Sequence, residues 1–145
     1  MTEIPPSLTA LTTYLLSRTG KIARSRIGAR LAERDLRMWH MAVLAALADA
    51  GPGSGRALAA TLGVDPSDIA KILDELTVRG WTGRTRDPAD RRRLLAEITP
   101  AGRLALAALT ADAEAVQDRL LAPLSPAERA VLHGLLLRVF TAADG

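Results

Sequence analysis

The stretch LAATLGVDPSDIAKILDELTVRGW, residues 58–81, decides the fold. Gly63 closes a short helix that starts near Ser54, and Asp65-Pro66 opens the next one. The aspartate offers a capping oxygen, and the proline supplies the fixed φ of a first helical position. Ile69, Ile72, Leu73 and Leu76 then fall at i, i+3, i+4 and i+7, one apolar face that runs on to about Arg79. Ser67, Asp68 and Lys71 lie on or near the opposite side. Two short helices around a tight glycine-bearing turn, the second amphipathic, make a helix-turn-helix pattern.

The next stretch, RTRDPADRRRLLAEITPAG at 84–102, completes the motif. Gly80 stops the helix, and Trp81 to Arg86 reads as a strand. Asp87-Pro88-Ala89-Asp90 reads as a turn with proline at its second position. Arg93 to Ile98 returns as a second strand, with Leu94, Ala96 and Ile98 alternating onto one face. Arg84, Arg86, Arg91, Arg92 and Arg93 lie on the tip and flanks of this hairpin. A helix-turn-helix followed directly by a basic hairpin is a winged helix. Between Arg79 and Arg93 six arginines stand against Asp87 and Asp90, a local charge of +4 in a chain of net charge +3. A GC-rich genome would account for the abundance of arginine and alanine but not for the clustering. Arginine's planar fork also suits phosphates and guanine edges better than lysine does.

On the N-terminal side a first helix is predicted from about Leu8 to Glu33, with an apolar stripe of Leu8, Leu11, Leu15, Ile22 and Ile27. A second runs from about Leu36 to Ala50 and is stopped by Gly51-Pro52-Gly53. On the C-terminal side Thr99-Pro100 opens a helix whose Leu106, Leu109, Ala113, Val116 and Leu120 step by three and four, the seam spacing of nearly parallel helices. Ser125-Pro126-Ala127-Glu128 is a capping box opening the last helix, which carries Val131, Leu132, Leu135, Leu136, Val139 and Phe140. These outer helices have no second domain to bury against, so they are expected to pack on the same elements of another copy. The fold class is mainly α with a small β-hairpin wing: one domain over 1–145, a winged-helix part at 36–99 and a helical dimerisation part at 1–35 and 100–145.

At 145 residues, 48% hydrophobic and 24% charged, the chain has the make-up of one folded domain. It has no cysteine, which excludes disulfides, cysteine-ligated zinc, iron–sulfur clusters and thiol redox sensing. No signal-peptide pattern and no apolar run of membrane-spanning length is present, so a soluble, cytoplasmic protein without a membrane partner is expected. Two distant histidines, His40 and His133, with no glycine-rich phosphate loop and no HExxH, leave no catalytic constellation, metal site or cofactor site.

In its order of elements the chain resembles the MarR (multiple-antibiotic-resistance regulator) family of bacterial transcription factors. Residues 58–81 and 84–102 carry the resemblance, with the family's Asp-x-Arg wing motif as Asp90-Arg91-Arg92 and its helical exit as Ile98-Thr99-Pro100-Ala101-Gly102. The resemblance implies a homodimer that binds a pseudo-palindromic double-stranded operator and is released by a small phenolic or anionic effector. It implies that Arg92 enters the minor groove while Asp90 steadies it.

Arg84, Arg86, Arg91 and Arg93 are expected as phosphate contacts, which set affinity and register, with one or two of them instead solvated or paired with a nearby aspartate. Pro66, Ser67, Asp68, Ala70 and Lys71 lie on the first turns of the recognition helix. There Ser67 and Lys71 can donate to base edges and Ala70 can touch a thymine methyl. Asp68 is read first as a complement to the helix dipole and second as an acceptor for cytosine. Ser54 and Arg56 are expected as backbone contacts. Tyr14, Arg18, Trp39 and His40 are candidate effector contacts, by the position of the family's cleft. Trp81 is expected to support the wing from the core. The competing readings are a protein-interaction module built on a winged helix, which wastes the arginine cluster, and an architectural DNA binder, against which the net charge of +3 weighs.

Overall fold

The computed structural model describes residues 3–145. Its elements are α1 (Pro6–Thr9), α2 (Thr12–Ala32), α3 (Met38–Ala50), α4 (Gly55–Leu62), α5 (Pro66–Val78), β1 (Thr82–Arg86), β2 (Leu94–Ile98), α6 (Pro100–Leu120) and α7 (Pro126–Asp144). The expected first helix is broken at Ala10 and Leu11. There the Leu11 N–H turns back three residues to the Leu8 carbonyl, and the Thr9 hydroxyl donates to the Pro6 carbonyl. No glycine or proline stands at the break to announce it. The caps predicted for three later helices form: Asp65 accepts from Ser67, Thr99 Oγ1 from Gly102, and Ser125 and Glu128 make the reciprocal box. A fourth, not predicted, is Ser54 accepting from the Ala57 N–H.

The chain divides into two compact units, Arg24–Ala113 and the two terminal stretches, up to Ala23 and from Glu114 onward. The first unit has one core, made of Leu31 and Leu36, Val43, Leu44 and Leu47 of α3, Leu58 and Ala59 of α4, the apolar face of α5, Ala96 and Leu109. Ile69, Ile72, Leu73 and Leu76 are all at most 2% exposed. Burying four such side chains supplies about 1.5–3 kcal/mol each, so the face read from the spacing seats the helix.

β1 and β2 pair antiparallel, Thr82 opposite Ile98 and Arg86 opposite Leu94. The sheet has a third member the sequence did not announce: Gly53 exchanges two backbone hydrogen bonds with Ala96, at 3.0 and 2.8 Å. Leu94 does not join the inward face of Ala96 and Ile98 as expected. It is 50% exposed, because it lies next to the wing tip, beyond the reach of the core. Trp81 packs against the core cluster, with the Arg79 guanidinium 5.0 Å above its ring. Arg79 also donates to the carbonyls of Arg34 and Asp35, where Asp35 takes the left-handed conformation at φ 57°.

The base of the wing is a hub of backbone contacts. The Thr99 N–H donates to the Trp81 carbonyl, and the Thr99 hydroxyl donates to the Gly80 carbonyl at 2.6 Å while accepting from the Gly102 N–H. Gly102 is there because the Trp81 carbonyl approaches too closely for any side chain.

Asp112 of α6 is clamped by Arg34, just beyond the end of α2, at 2.7 Å and by Arg30 of α2 at 3.1 Å. The Arg34 hydrogen bond first, and the bond and charge of Arg30 after it, hold the Asp112 carboxyl below its ordinary value. Asp65, Glu75 and Glu128 are shifted down too, by hydrogen bonds from Ser67, His40 and Ser125. A carboxyl lowered by folding stabilises the fold at pH values above its unfolded pKa, and the stabilisation is lost as pH falls through the folded value. The urea midpoint is therefore expected to hold steady from pH 7 to about 5 and to fall below about pH 4.5. Asp112→Asn should shallow that acid limb; an equally steep limb in the variant would deny the clamp its part.

In the second unit only Val116 is buried among the described residues, and α1 and α7 bury nothing. Arg129 closes the turn between α6 and α7 by donating to the carbonyls of Leu121 and Leu124 and pairing with Asp118. Along α7 the rows Val131, Leu135, Val139 and Leu136, Phe140 are 40–64% exposed, and Leu8, Leu11, Leu15, Leu16 and Ile22 of the N-terminal stretch are 37–52% exposed.

Candidate nucleic-acid interface

The first turns of α5 point their polar side away from the core. Pro66, Asp68, Ala70 and Lys71 are all exposed, and the Lys71 ammonium meets no hydrogen-bond partner or ion pair among the described residues. Asp68 stands in the first turn, where a carboxylate complements the helix dipole. Ser67 is placed as expected but is already engaged. Its hydroxyl donates to Asp65 Oδ1 at 2.6 Å, so it offers a base edge lone pairs rather than a free proton. Ser54 is spent in part on capping α4, whereas Arg56, two residues on, is exposed.

The wing arginines fall into two sets. Arg84 lies 3.7 Å from Asp74 of α5, and Arg86 Nη1 donates to the Arg91 carbonyl at 2.9 Å. These two brace the hairpin; the pairing of one wing arginine with an aspartate is among the expectations, whereas the Arg86 bond to a carbonyl is not. Arg91 and Arg93 are exposed, and their guanidinium groups meet no partner among the described residues. Arg92 stands between them with its side chain 95% exposed.

Asp90 shapes the tip beneath Arg92. Its carboxylate accepts from the Arg92 N–H at 3.1 Å and lies 3.5 Å from the Arg92 Nε, and its carbonyl accepts from the Arg93 N–H. Asp87 makes the matching bond to the Ala89 N–H. The predicted proline turn is therefore part of a longer tip, Asp87 to Arg93, closed by the Asp87 N–H donating to the Arg93 carbonyl. Aspartates bonding backbone two residues on are self-contained turn formers, which keeps the tip ordered without help from the core.

The candidate effector residues belong to different units. In the unit that holds both termini, the Arg18 guanidinium sits over the Tyr14 ring at 5.9 Å. In the winged unit, Trp39 is 41% exposed. His40 is 2% exposed and both its ring nitrogens are occupied: Nδ1 accepts from the Arg37 N–H at 2.9 Å and Nε2 meets Glu75 Oε2 of α5. It has no free nitrogen to offer an effector. Nothing in the sequence joins Glu75 or Arg37 to this histidine; the one available signal is a histidine three residues after the start of an apolar helix, where a side chain can reach back to the cap. Among the described residues no cluster of three potential metal ligands occurs, and no helix is long and apolar enough to cross a membrane.

Comparison with known proteins agrees with this geometry. The sequence profile of the MarR family matches residues 34–93, which run from before α3 through the wing tip. The chain is 40% identical over 90 residues to a protein named for transcriptional regulation of the hcr operon in Thauera aromatica, and 31% identical over 96 residues to the HTH-type transcriptional repressor NicR of Pseudomonas putida. Those matches cover 61% and 66% of this chain and 54% and 61% of the relatives, so the chain spans little more than half the length of either. Similarity to solved structures is longer. CouR from Rhodococcus jostii RHA1, solved with p-coumaroyl-CoA, superposes at a TM-score of 0.74 with 30% identity, over 93% of this chain and 95% of CouR. A winged helix with a braced, arginine-tipped hairpin, flanked by helices with open apolar faces, thus coincides in sequence and in fold with known transcriptional regulators: the chain belongs to the MarR family, a family of regulators and not of enzymes.

Proposed function

We propose that the chain is a homodimeric repressor of the bacterial cytoplasm that reads a pseudo-palindromic operator, α5 entering the major groove and Arg92 the minor groove. The observation that carries this reading is the wing tip, where a 95% exposed Arg92, steadied by Asp90, stands between two unpaired arginines on an ordered turn. A cationic tip of this kind matches the negative potential of a narrow minor groove. The exposed apolar rows of α7 and of the N-terminal stretch support a second copy as partner, since contiguous apolar surface of this kind on a soluble chain marks an interface. Two-fold symmetry then calls for two half-sites about one helical turn apart. NicR is a repressor by name, CouR was solved with p-coumaroyl-CoA, and the DNA binding of BpsR from Bordetella bronchiseptica is regulated by 6-hydroxynicotinic acid, which supports a phenolic or anionic effector here. The Arg18–Tyr14 pair offers such a molecule a charge beside a stacking face.

The test is a mobility shift with DNA from immediately upstream of the gene, challenged with random duplex. A shift that resists competitor, with two chains per duplex, is the expected result; a shift lost to competitor would favour an architectural binder, and no binding at low salt an interaction module. Salt dependence gives a second reading. Each neutralised phosphate contributes about 0.9 to the log–log slope. Arg93→Ala, which removes one phosphate contact per protomer, should therefore shallow the slope by about 2 without changing the preferred sequence.

A further inference from the structure

α5 is seated by Ile69, Ile72, Leu73 and Leu76. Dispersion contacts carry little direction, so the rotation of the helix is set with the help of directional bonds; toward the wing these are Thr77 to Thr82 and Asp74 to Arg84. One directional side-chain contact joins α5 to α3, the bond between Glu75 and His40. We propose that His40 is a positioning residue for the recognition helix: its imidazole pins Glu75 and thereby sets the rotation at which Ser67, Ala70 and Lys71 meet the bases. This rests on the operator-reading function proposed above.

The ring is held from both ends. Arg37 precedes α3 without a side-chain oxygen to cap it, and its backbone N–H donates to His40 Nδ1. Nδ1 therefore keeps its lone pair, and the ring hydrogen sits on Nε2, facing the Glu75 carboxylate. The pin thus runs from the backbone at the start of α3, through a buried ring, to the third turn of α5. Glu75 is one turn beyond Lys71 and two beyond Ser67, within about 80° of both around the helix. Any rotation that breaks the bond swings the base-facing row by the same angle. Arg37 lies 3.9 Å from the same carboxylate oxygen, but it is exposed and flexible and supplies charge rather than direction. Glutamine can take the place of the ring, its carbonyl accepting from Arg37 and its amide donating to Glu75; leucine can do neither.

The experiment titrates operator and random duplex with wild type, His40→Leu, His40→Gln, Glu75→Leu and the double leucine variant, and follows amide hydrogen exchange over residues 66–78 in each free protein. His40→Leu and Glu75→Leu are each expected to weaken operator binding about tenfold, the scale of one base-reading contact. Random-duplex binding should change less than about twofold. Exchange over 66–78 should quicken, the double variant should be no worse than either single one, and His40→Gln should restore operator binding. Unchanged operator affinity and exchange in His40→Leu overturn the proposal. So does an equal loss on both duplexes, or a loss that His40→Gln does not rescue. If His40→Leu fails to fold, Glu75→Leu, at a partly exposed position, decides by the same criteria. A wild type that does not distinguish the two duplexes would sink the operator reading instead, and the exchange over 66–78 would still decide whether the pin holds α5.

Discussion

Gly102→Ala is expected to lower the unfolding midpoint by about 6–12 °C, the largest effect of any single methyl in this chain. A Cβ at Gly102 would lie 2.1 Å from the Trp81 carbonyl oxygen and 2.8 Å from Ile98 Cγ1. Forced overpacking costs about 1–3 kcal/mol where side chains can yield. Here the obstacle is backbone, already tied to Thr99, which is in turn bonded to Gly80 and to Gly102 itself. About 3 kcal/mol, at about 2–4 °C per kcal/mol for a chain of this size, gives the stated shift. Gly28→Ala is the contrast, because its Cβ would meet nothing within 4 Å in the interior of α2. That change should raise stability by about 0.5–1 kcal/mol. Scanning calorimetry of the two variants at equal concentration checks both signs; a Gly102→Ala midpoint within about 2 °C of wild type would mean that the hub can open.

The second large effect is on binding. Arg92→Ala should weaken operator affinity by about tenfold or more, in line with about 1–3 kcal/mol for a good groove contact and with the substitution present in both protomers of the dimer. The fold should not respond, because the Arg92 side chain is 95% exposed and its one neighbour, Asp90, keeps its bond to the residue-92 N–H. Arg86→Ala separates the two kinds of wing arginine. Losing the brace to the Arg91 carbonyl should loosen the tip and weaken binding indirectly, with faster amide exchange at residues 87–93 that Arg92→Ala does not cause. Full operator affinity in Arg92→Ala would remove the wing from the recognition reading.

What could be read from the sequence were the features that local chemistry decides. The α5 face followed from four apolar residues at helical spacing, the helix starts from Asp65-Pro66, Thr99-Pro100 and Ser125-Pro126, and the hairpin from strand alternation around an aspartate-rich turn. What could not be read needed a partner remote in sequence. Gly53 looked like a helix stop and is also a strand partner of Ala96; Arg84 and Arg86 looked like their neighbours until Asp74 and the Arg91 carbonyl were placed beside them. His40 and Glu75 are 35 positions apart, and no pattern within either helix joins them. The break at Ala10 and Leu11 is not legible either, since no glycine or proline stands there.

The wing is stitched to the helices at several points: Gly53 to Ala96, the Thr77 hydroxyl to that of Thr82, Asp74 to Arg84, and Thr99 to Gly80 and Trp81. In the proposed complex this makes each protomer a ruler of fixed length. The step between the bases read by α5 and the point where Arg92 enters the groove cannot stretch to suit the DNA, so the DNA has to be cut to that measure. One base pair inserted inside a half-site would put the two readers out of phase, with no hinge between them to take up the slack.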